Sequence, residues 1–179
     1  MLECEYIDLY IENLNPEEIM MNYRKINKDE DHELSEYHRM RHHLWPDHEE
    51  NDLREEMMKI LNGNTFYKNE LSWTIFVAER EHGKFGGFIE ITIYTKLDFV
   101  DSKPVGYIEG WYVDEDLRMS GVGSKLVDIA IKWTASQGCA EIASDVEEHN
   151  LISQEAHLKL GFKEAKKEEH CIFYKKTII

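Results

Sequence analysis

Cysteine is scarce in this 179-residue chain, positive charge is in deficit, and no long apolar run occurs. Cys4, Cys139 and Cys171 lie far apart, with no CxxC spacing. That excludes a disulfide scaffold and a cysteine zinc site, and points to reduced thiols in a cytoplasmic protein. No apolar run approaches the roughly 20 residues of a membrane span, and no basic-then-apolar leader opens the chain. With 21 Lys and Arg against 36 Asp and Glu, the net charge is −15. The basic face that nucleic-acid phosphates require is therefore lacking. A P-loop GK[ST], a GxGxxG with a distal acid, and HExxH are all missing too, as are internal repeats.

What remains suits one domain with a sizeable core: 42% of residues are hydrophobic and 11% aromatic. The acidity has two readings. It draws cationic ligands toward acidic clefts, or it only keeps the protein soluble. Residues 1–20 read as an N-terminal extension and 21–179 as the domain. The extension is acidic, contains Pro16 and precedes a second methionine, Met21. Its Tyr6, Ile7, Leu9, Tyr10, Ile11 and Leu14 allow a short amphipathic helix.

Beyond Met21 the pattern is α/β. A short strand is expected over Asn22–Ile26 and a helix over Asp31–Leu44, ending before Trp45-Pro46. Asp47 is the expected N-cap of a second helix, His48–Leu61, stopped by Asn62-Gly63. Trp73–Glu79 and Gly87–Tyr94 read as strands joined by a turn at Gly83. Pro104–Val113 is a further strand. Gly121–Gln137 is a helix with Val122, Leu126, Ile129, Ala130 and Trp133 on one stripe. Ala140–Asp145, Asn150–Leu160 and Cys171–Lys175 complete the series as strand, helix and strand.

The chemistry-bearing segment is Arg118-Met119-Ser120-Gly121-Val122-Gly123-Ser124, placed after a strand and at the start of a helix. Glycines there let the backbone turn sharply, so that free amides and the helix N-terminus form a seat for a pyrophosphate. The run resembles motif A of the GNAT acyltransferases, Q/R-x-x-G-x-G/A. Asn150-Leu151-Ile152-Ser153 followed by Leu160-Gly161-Phe162 resembles that family's later helix and turn. The resemblance implies an α/β fold whose mixed central sheet splays between the fourth and fifth strands, with helices on both faces. It also implies acetyl-CoA as co-substrate, without a metal. Met119, Ser120, Gly121, Val122, Gly123 and Ser124 would hold the pyrophosphate, Trp111, Tyr112 and Val113 the pantetheine arm, and Asn150 would join them. N–H groups near Tyr112 and Val113 would polarise the thioester carbonyl. Many members place a tyrosine four residues before the Gly-Phe to protonate the departing thiolate; here that residue is His157. His157 either takes that role or lies on the helix surface.

Five strings, in order, resemble the aminoglycoside 6′-N-acetyltransferases within that family: Leu44-Trp45-Pro46, Pro104–Gly110, Ala143-Ser144-Asp145, Asn150–Ser153 and Phe173–Lys176. This resemblance implies a polycationic aminoglycoside as acceptor and, from family habit, a homodimer. Glu109 would contact the acceptor sugar and act as base, directly or through water, because only the free amine has a lone pair for attack. Asp145 would bind a drug ammonium, and Trp45 and Phe99 would supply aromatic contacts. Plainer readings stand beside these: Glu109 on a solvated strand edge, Asp145 as a cap, Trp45 in the core. The acids Asp47, Glu49, Glu50, Asp52, Glu55 and Glu56 line an acidic mouth or form a solvated helix face. His38 and His42 have i,i+4 spacing but no third ligand, so no metal is assigned. The rival functions are a GNAT acting on a polyamine or protein amine, and a silent acyl-CoA-binding regulator.

Overall fold

The computed structural model describes residues 21–179, so the extension over 1–20 and its expected helix lie outside the described residues. Seven strands form one sheet in the order β1-β2-β3-β4-β5-β7-β6. They are β1 (Asn22–Lys25), β2 (Glu70–Glu79), β3 (Phe85–Tyr94), β4 (Val105–Val113), β5 (Glu141–Glu147), β6 (Lys163–Glu168) and β7 (Cys171–Thr177). All neighbours pair antiparallel except β4 and β5, which run parallel. Four helices cover the sheet: α1 (Asp31–Leu44), α2 (Glu50–Leu61), α3 (Val122–Ser136) and α4 (Leu151–Lys159). Among the described residues no helix is long and apolar enough to cross a membrane.

Alternation along the strands sorts the side chains onto two faces. Ile75, Val77, Phe88 and Tyr112 point to Tyr37, Met40, Met57 and Ile60 of α1 and α2. Ala78, Ile89, Ile91 and Ile108 point to Val122, Leu126, Val127 and Ala130 of α3. The central strand β3 is therefore buried along its whole length, which explains why it reads as a nearly unbroken apolar run.

Two expectations need correction, and one strand was not expected. The second helix starts at Glu50, and its N-cap is Glu49, with no side-chain cap bond, rather than Asp47. Strand β5 continues to Glu147, so Asp145 lies inside it rather than capping a turn. Strand β6, Lys-Glu-Ala-Lys-Lys-Glu, has no apolar alternation to signal it; it is an edge strand paired only to β7 and exposed almost throughout. Charged residues on an edge strand also discourage pairing with another chain.

Candidate active site

The site forms where β4 and β5 part. Their pairing is confined to Gly106–Ile108 against Ile142–Ser144. At the next residue β4 carries a bulge: Glu90 pairs with Gly110 and Ile91 with Ile108, leaving Glu109 without a partner on β3. An extra residue of this kind re-aims its side chain. Ile108 accordingly packs under α3, while a Cβ on Gly110 would face Trp45 and Phe88 on the other side of the sheet. Glu109 emerges at the gap and lines two cavities, of about 400 and about 200 Å³. The Tyr94 hydroxyl donates to its Oε1 at 2.9 Å. Removal from water, which outweighs that hydrogen bond, pushes the carboxyl up to about 8, with Glu90, Asp145 and Glu70 adding like-charge repulsion.

The larger cavity gathers most of the expected acceptor residues. Asp145, the first β5 residue past the last β4 pair, lines it together with Glu109, Trp45, Asp47, His48 and Cys171. The Tyr107 hydroxyl donates to Asp145 Oδ1 at 2.5 Å, and the Cys171 thiol lies 3.6 Å from Oδ2. Trp45 closes α1 as its C-cap and lines both cavities. Its Cη2 would stand 2.9 Å from any Cβ at position 110, so glycine is what lets the indole lie across β4. From below, the Arg41 guanidinium stacks on it at 4.7 Å. Phe99 is not brought to either cavity. It packs on Phe173 with ring centroids 5.0 Å apart, held by the apolar cluster of Val100, Val105 and Tyr107. Of the acidic stretch, Asp47 reaches the larger cavity and Glu56 the smaller.

The loop before α3 has the shape its sequence requires. Gly121 is the N-cap in the left-handed region at φ 91°, with no side-chain cap and no acid in the first turn. The amides of Val122, Gly123 and Ser124 have no carbonyl one turn back, so they are free for an anion. Met119 takes φ 64° and is 94% exposed, leaving the loop open. A Cβ on Gly123 would stand 3.0 Å from the Trp111 ring, a contact the ring would have to yield to, so glycine eases the close approach of helix and strand. Arg39 and Arg80 fix the entry to the loop by donating to Asp114 at 2.9 and 3.1 Å. The Asp114 amide donates to Gly86 O at 2.8 Å. Alternation then turns the Tyr112 amide toward β3 as well and leaves those of Trp111 and Val113 on the edge that β5 has left. Tyr112, expected as a thioester donor, thus has its amide on the wrong edge, and its ring packs under α1. The Asn150 side chain caps α4 by accepting from the Ser153 amide at 3.1 Å and lines the larger cavity.

His157 is 3% exposed, not a helix-surface residue. Its ring lies between Trp111, Phe162 and Tyr174 and lines the larger cavity. Nδ1 lies 2.7 Å from Ser153 O; a carbonyl only accepts, so Nδ1 carries the proton. Burial lowers the imidazole below its ordinary range. Among the described residues, Nε2 of His157 and the neighbouring Nε1 of Trp111 are buried without a partner.

The sequence reading did not single out the smaller cavity. Glu70, Tyr94, Glu90, Arg41 and Phe66 line it with Glu109. Arg41 and Glu90 form a buried pair at 2.6 Å, and Tyr37 donates to the same carboxylate at 2.5 Å. The available signal was Glu90 in an otherwise apolar strand, since a buried carboxylate needs a paired cation.

Residues 37–162 match the family model described as Acetyltransferase (GNAT) family. The chain is 36% identical over 136 residues to an aminoglycoside N(6′)-acetyltransferase type 1 of Serratia marcescens, covering 75% of this chain and 86% of that protein. It is 33% identical over 159 residues to the enzyme of that name from Salmonella enteritidis, with 87% and 99% covered. A solved structure of AAC(6′)-Iy, in complex with the bisubstrate analogue CoA-S-monomethyl-acetylneamine, superposes with a TM-score of 0.72 at 30% identity. That match covers 84% of this chain and 95% of the other.

Proposed function

This chain belongs to the GNAT family of acetyltransferases, and from that premise we propose that it transfers the acetyl group of acetyl-CoA to the 6′-amine of an aminoglycoside. The activity is the one named for its relatives. The observation that carries the reading is Glu109, re-aimed by the β4 bulge into the gap between β4 and β5 beside Asp145. Neither a polyamine acetyltransferase nor a silent regulator has support comparable to these relatives.

In this reading the α3 loop seats the pyrophosphate, and the pantetheine arm lies along the open edge of β4. Trp111 and Val113 amides supply the donors that polarise the thioester carbonyl. Asp145 binds an ammonium of the acceptor, with Trp45 as the wall of the cavity. Glu109, as carboxylate, takes a proton from the reacting ammonium. The freed nitrogen attacks the carbonyl carbon; as the C–S bond breaks, sulfur leaves with the electron pair, and the nitrogen gives up its second proton, which balances the one the thiolate takes up. His157 donates its Nδ1 proton to Ser153 O, and burial favours the neutral ring. Its Nε2, without a proton or a partner, is an acceptor at the wall of this cavity and not the donor that protonates the thiolate. Acetylation removes a positive charge from the drug, so cells carrying the protein are expected to resist it. Cytoplasmic location and a homodimer belong to the same proposal.

Product analysis tests the reading. Incubation with acetyl-CoA and a kanamycin-type aminoglycoside should release CoA and leave one acetyl group on the 6′-nitrogen.

A further inference from the structure

Glu109 has a second side that the acceptor chemistry does not use. Trp45 and Glu109 line both cavities. The proposed reaction places acceptor and thioester in the larger cavity, and the smaller one offers a proton held on Glu109 a separate way to solvent. On the other side lies Tyr94, the last residue of β3, 8% exposed. Its hydroxyl donates to Glu109 Oε1 at 2.9 Å and stands 3.4 Å from Glu70 Oε1. Glu70 opens β2 as the register partner of Tyr94. Its other oxygen accepts from the Phe66 amide at 2.7 Å and from Trp73 Nε1 at 3.0 Å, which fixes the carboxylate in place. All three residues line the smaller cavity, walled there by the exposed side chains of Phe66 and Tyr67.

We propose that Tyr94 and Glu70 form the exit path for the proton that Glu109 takes from the acceptor, a relay from the acceptor cavity into the smaller one. The proposal rests on Glu109 as the base. Tyr94 has one hydroxyl proton and two carboxylate neighbours, so it serves one at a time. With Glu109 ionised, the hydroxyl donates to it. Once Glu109 has taken the ammonium proton, its O–H donates to the Tyr94 oxygen and the Tyr94 proton passes to Glu70. The tyrosine is neutral before and after, in keeping with burial beside carboxylates, which opposes its ionisation. Glu70 then gives the proton to water in the smaller cavity, and Glu109 is again a carboxylate. Each transfer breaks one O–H bond and forms another, and no external oxidant or reductant is involved.

The test compares Tyr94→Phe, Glu70→Gln and Glu109→Gln in the full chain with acetyl-CoA and a kanamycin-type aminoglycoside. Calorimetry should give wild-type affinities for both substrates in Tyr94→Phe and Glu70→Gln. The steady-state rate of CoA release should fall at least tenfold in both and recover as imidazole buffer is added, because a mobile base replaces the missing relay in restoring Glu109 between turnovers. Wild-type release should not depend on buffer. A wild-type rate in either variant, or a slowed rate that imidazole leaves unchanged, would overturn the relay. Failure of the underlying reading looks different: Glu109→Gln would then keep the wild-type rate, whereas a slow, buffer-independent Glu109→Gln leaves Glu109 as base even if the relay falls.

Discussion

The Tyr107 hydroxyl donates to Asp145 Oδ1 at 2.5 Å across the line where β4 and β5 separate. Tyr107 is itself buried, so it anchors one oxygen of an otherwise exposed carboxylate and leaves the other toward the cavity and Cys171. In the proposed complex this fixed carboxylate meets an ammonium. Asp145→Asn should weaken that charge-assisted contact by about 1.5–3 kcal/mol, raising the acceptor KM by roughly ten- to a hundredfold. Acetyl-CoA affinity should stay the same. Tyr107→Phe should move the acceptor KM in the same direction by less, since the charge remains. An unaltered acceptor KM in Asp145→Asn, measured beside acetyl-CoA binding by calorimetry, would remove Asp145 from the acceptor site.

The α3 loop gives a prediction about the other substrate. Gly121 stands at φ 91° with open space around it, whereas a Cβ added at Gly123 would stand 3.0 Å from the Trp111 ring. Gly121→Asp places a negative charge at a helix N-terminus that is free of acids, where it competes with the pyrophosphate for the same amides. Acetyl-CoA binding should fall below detection by calorimetry while the fold, followed by circular dichroism, persists. Gly123→Ala should also weaken acetyl-CoA, by displacing Trp111 rather than by charge. Tight acetyl-CoA binding by a folded Gly121→Asp would remove the pyrophosphate from this loop.

Much of this arrangement was legible in the sequence because it depends on local rules. The glycine run before α3 and most of that helix's apolar stripe follow from backbone geometry within a few residues, although Val127 and Thr134 are buried where Ile129 was expected; Asn150, read for the cofactor, caps α4. Glu109 and Asp145 were readable as site residues through the resemblance of their strings, but the reason they meet was not. It lies in a bulge that breaks the β3–β4 register and in a parallel pairing confined to Gly106–Ile108 and Ile142–Ser144. Neither leaves a periodic trace. Phe99 shows the opposite limit. An aromatic residue in a loop carries no directional signal, and here the ring turns to Phe173. Tyr94 and Glu70 sit at strand ends paired across β2 and β3, so their closeness to Glu109 appears only once three strands are in register. The polar sequence of β6 hid a strand whose pairing to β7 places it at the sheet edge.

Glu109 links activity and stability to pH in opposite ways. Its carboxyl is raised from its ordinary value of 4.5 to about 8 by burial. As base it must be ionised, so kcat/KM should rise with pH and level off above about 8, and Glu109→Gln should be slow and nearly flat across that range. Folding shows the reverse sign. Between the two values the native state binds more protons than the unfolded chain, so stability falls as pH rises through that window. Glu109→Gln removes that fall. Thermal melts should agree for the two proteins near pH 4.5 and separate toward pH 8, with the variant melting higher. Parallel melting curves at every pH would mean that Glu109 ionises as it does in water.

Site-resolved product analysis on a matched pair of acceptors tests the central claim most directly. A 6′-amino aminoglycoside and its 6′-hydroxy counterpart present the same cationic body to Asp145 and Trp45, and differ only at the nucleophile. NMR of the products, with CoA release measured in parallel, should find a single acetyl group on the 6′-nitrogen of the first. The second should compete for the site without being acetylated at 6′. Equal turnover of the two, or no transfer to any aminoglycoside beside rapid acetylation of spermidine, would contradict the account.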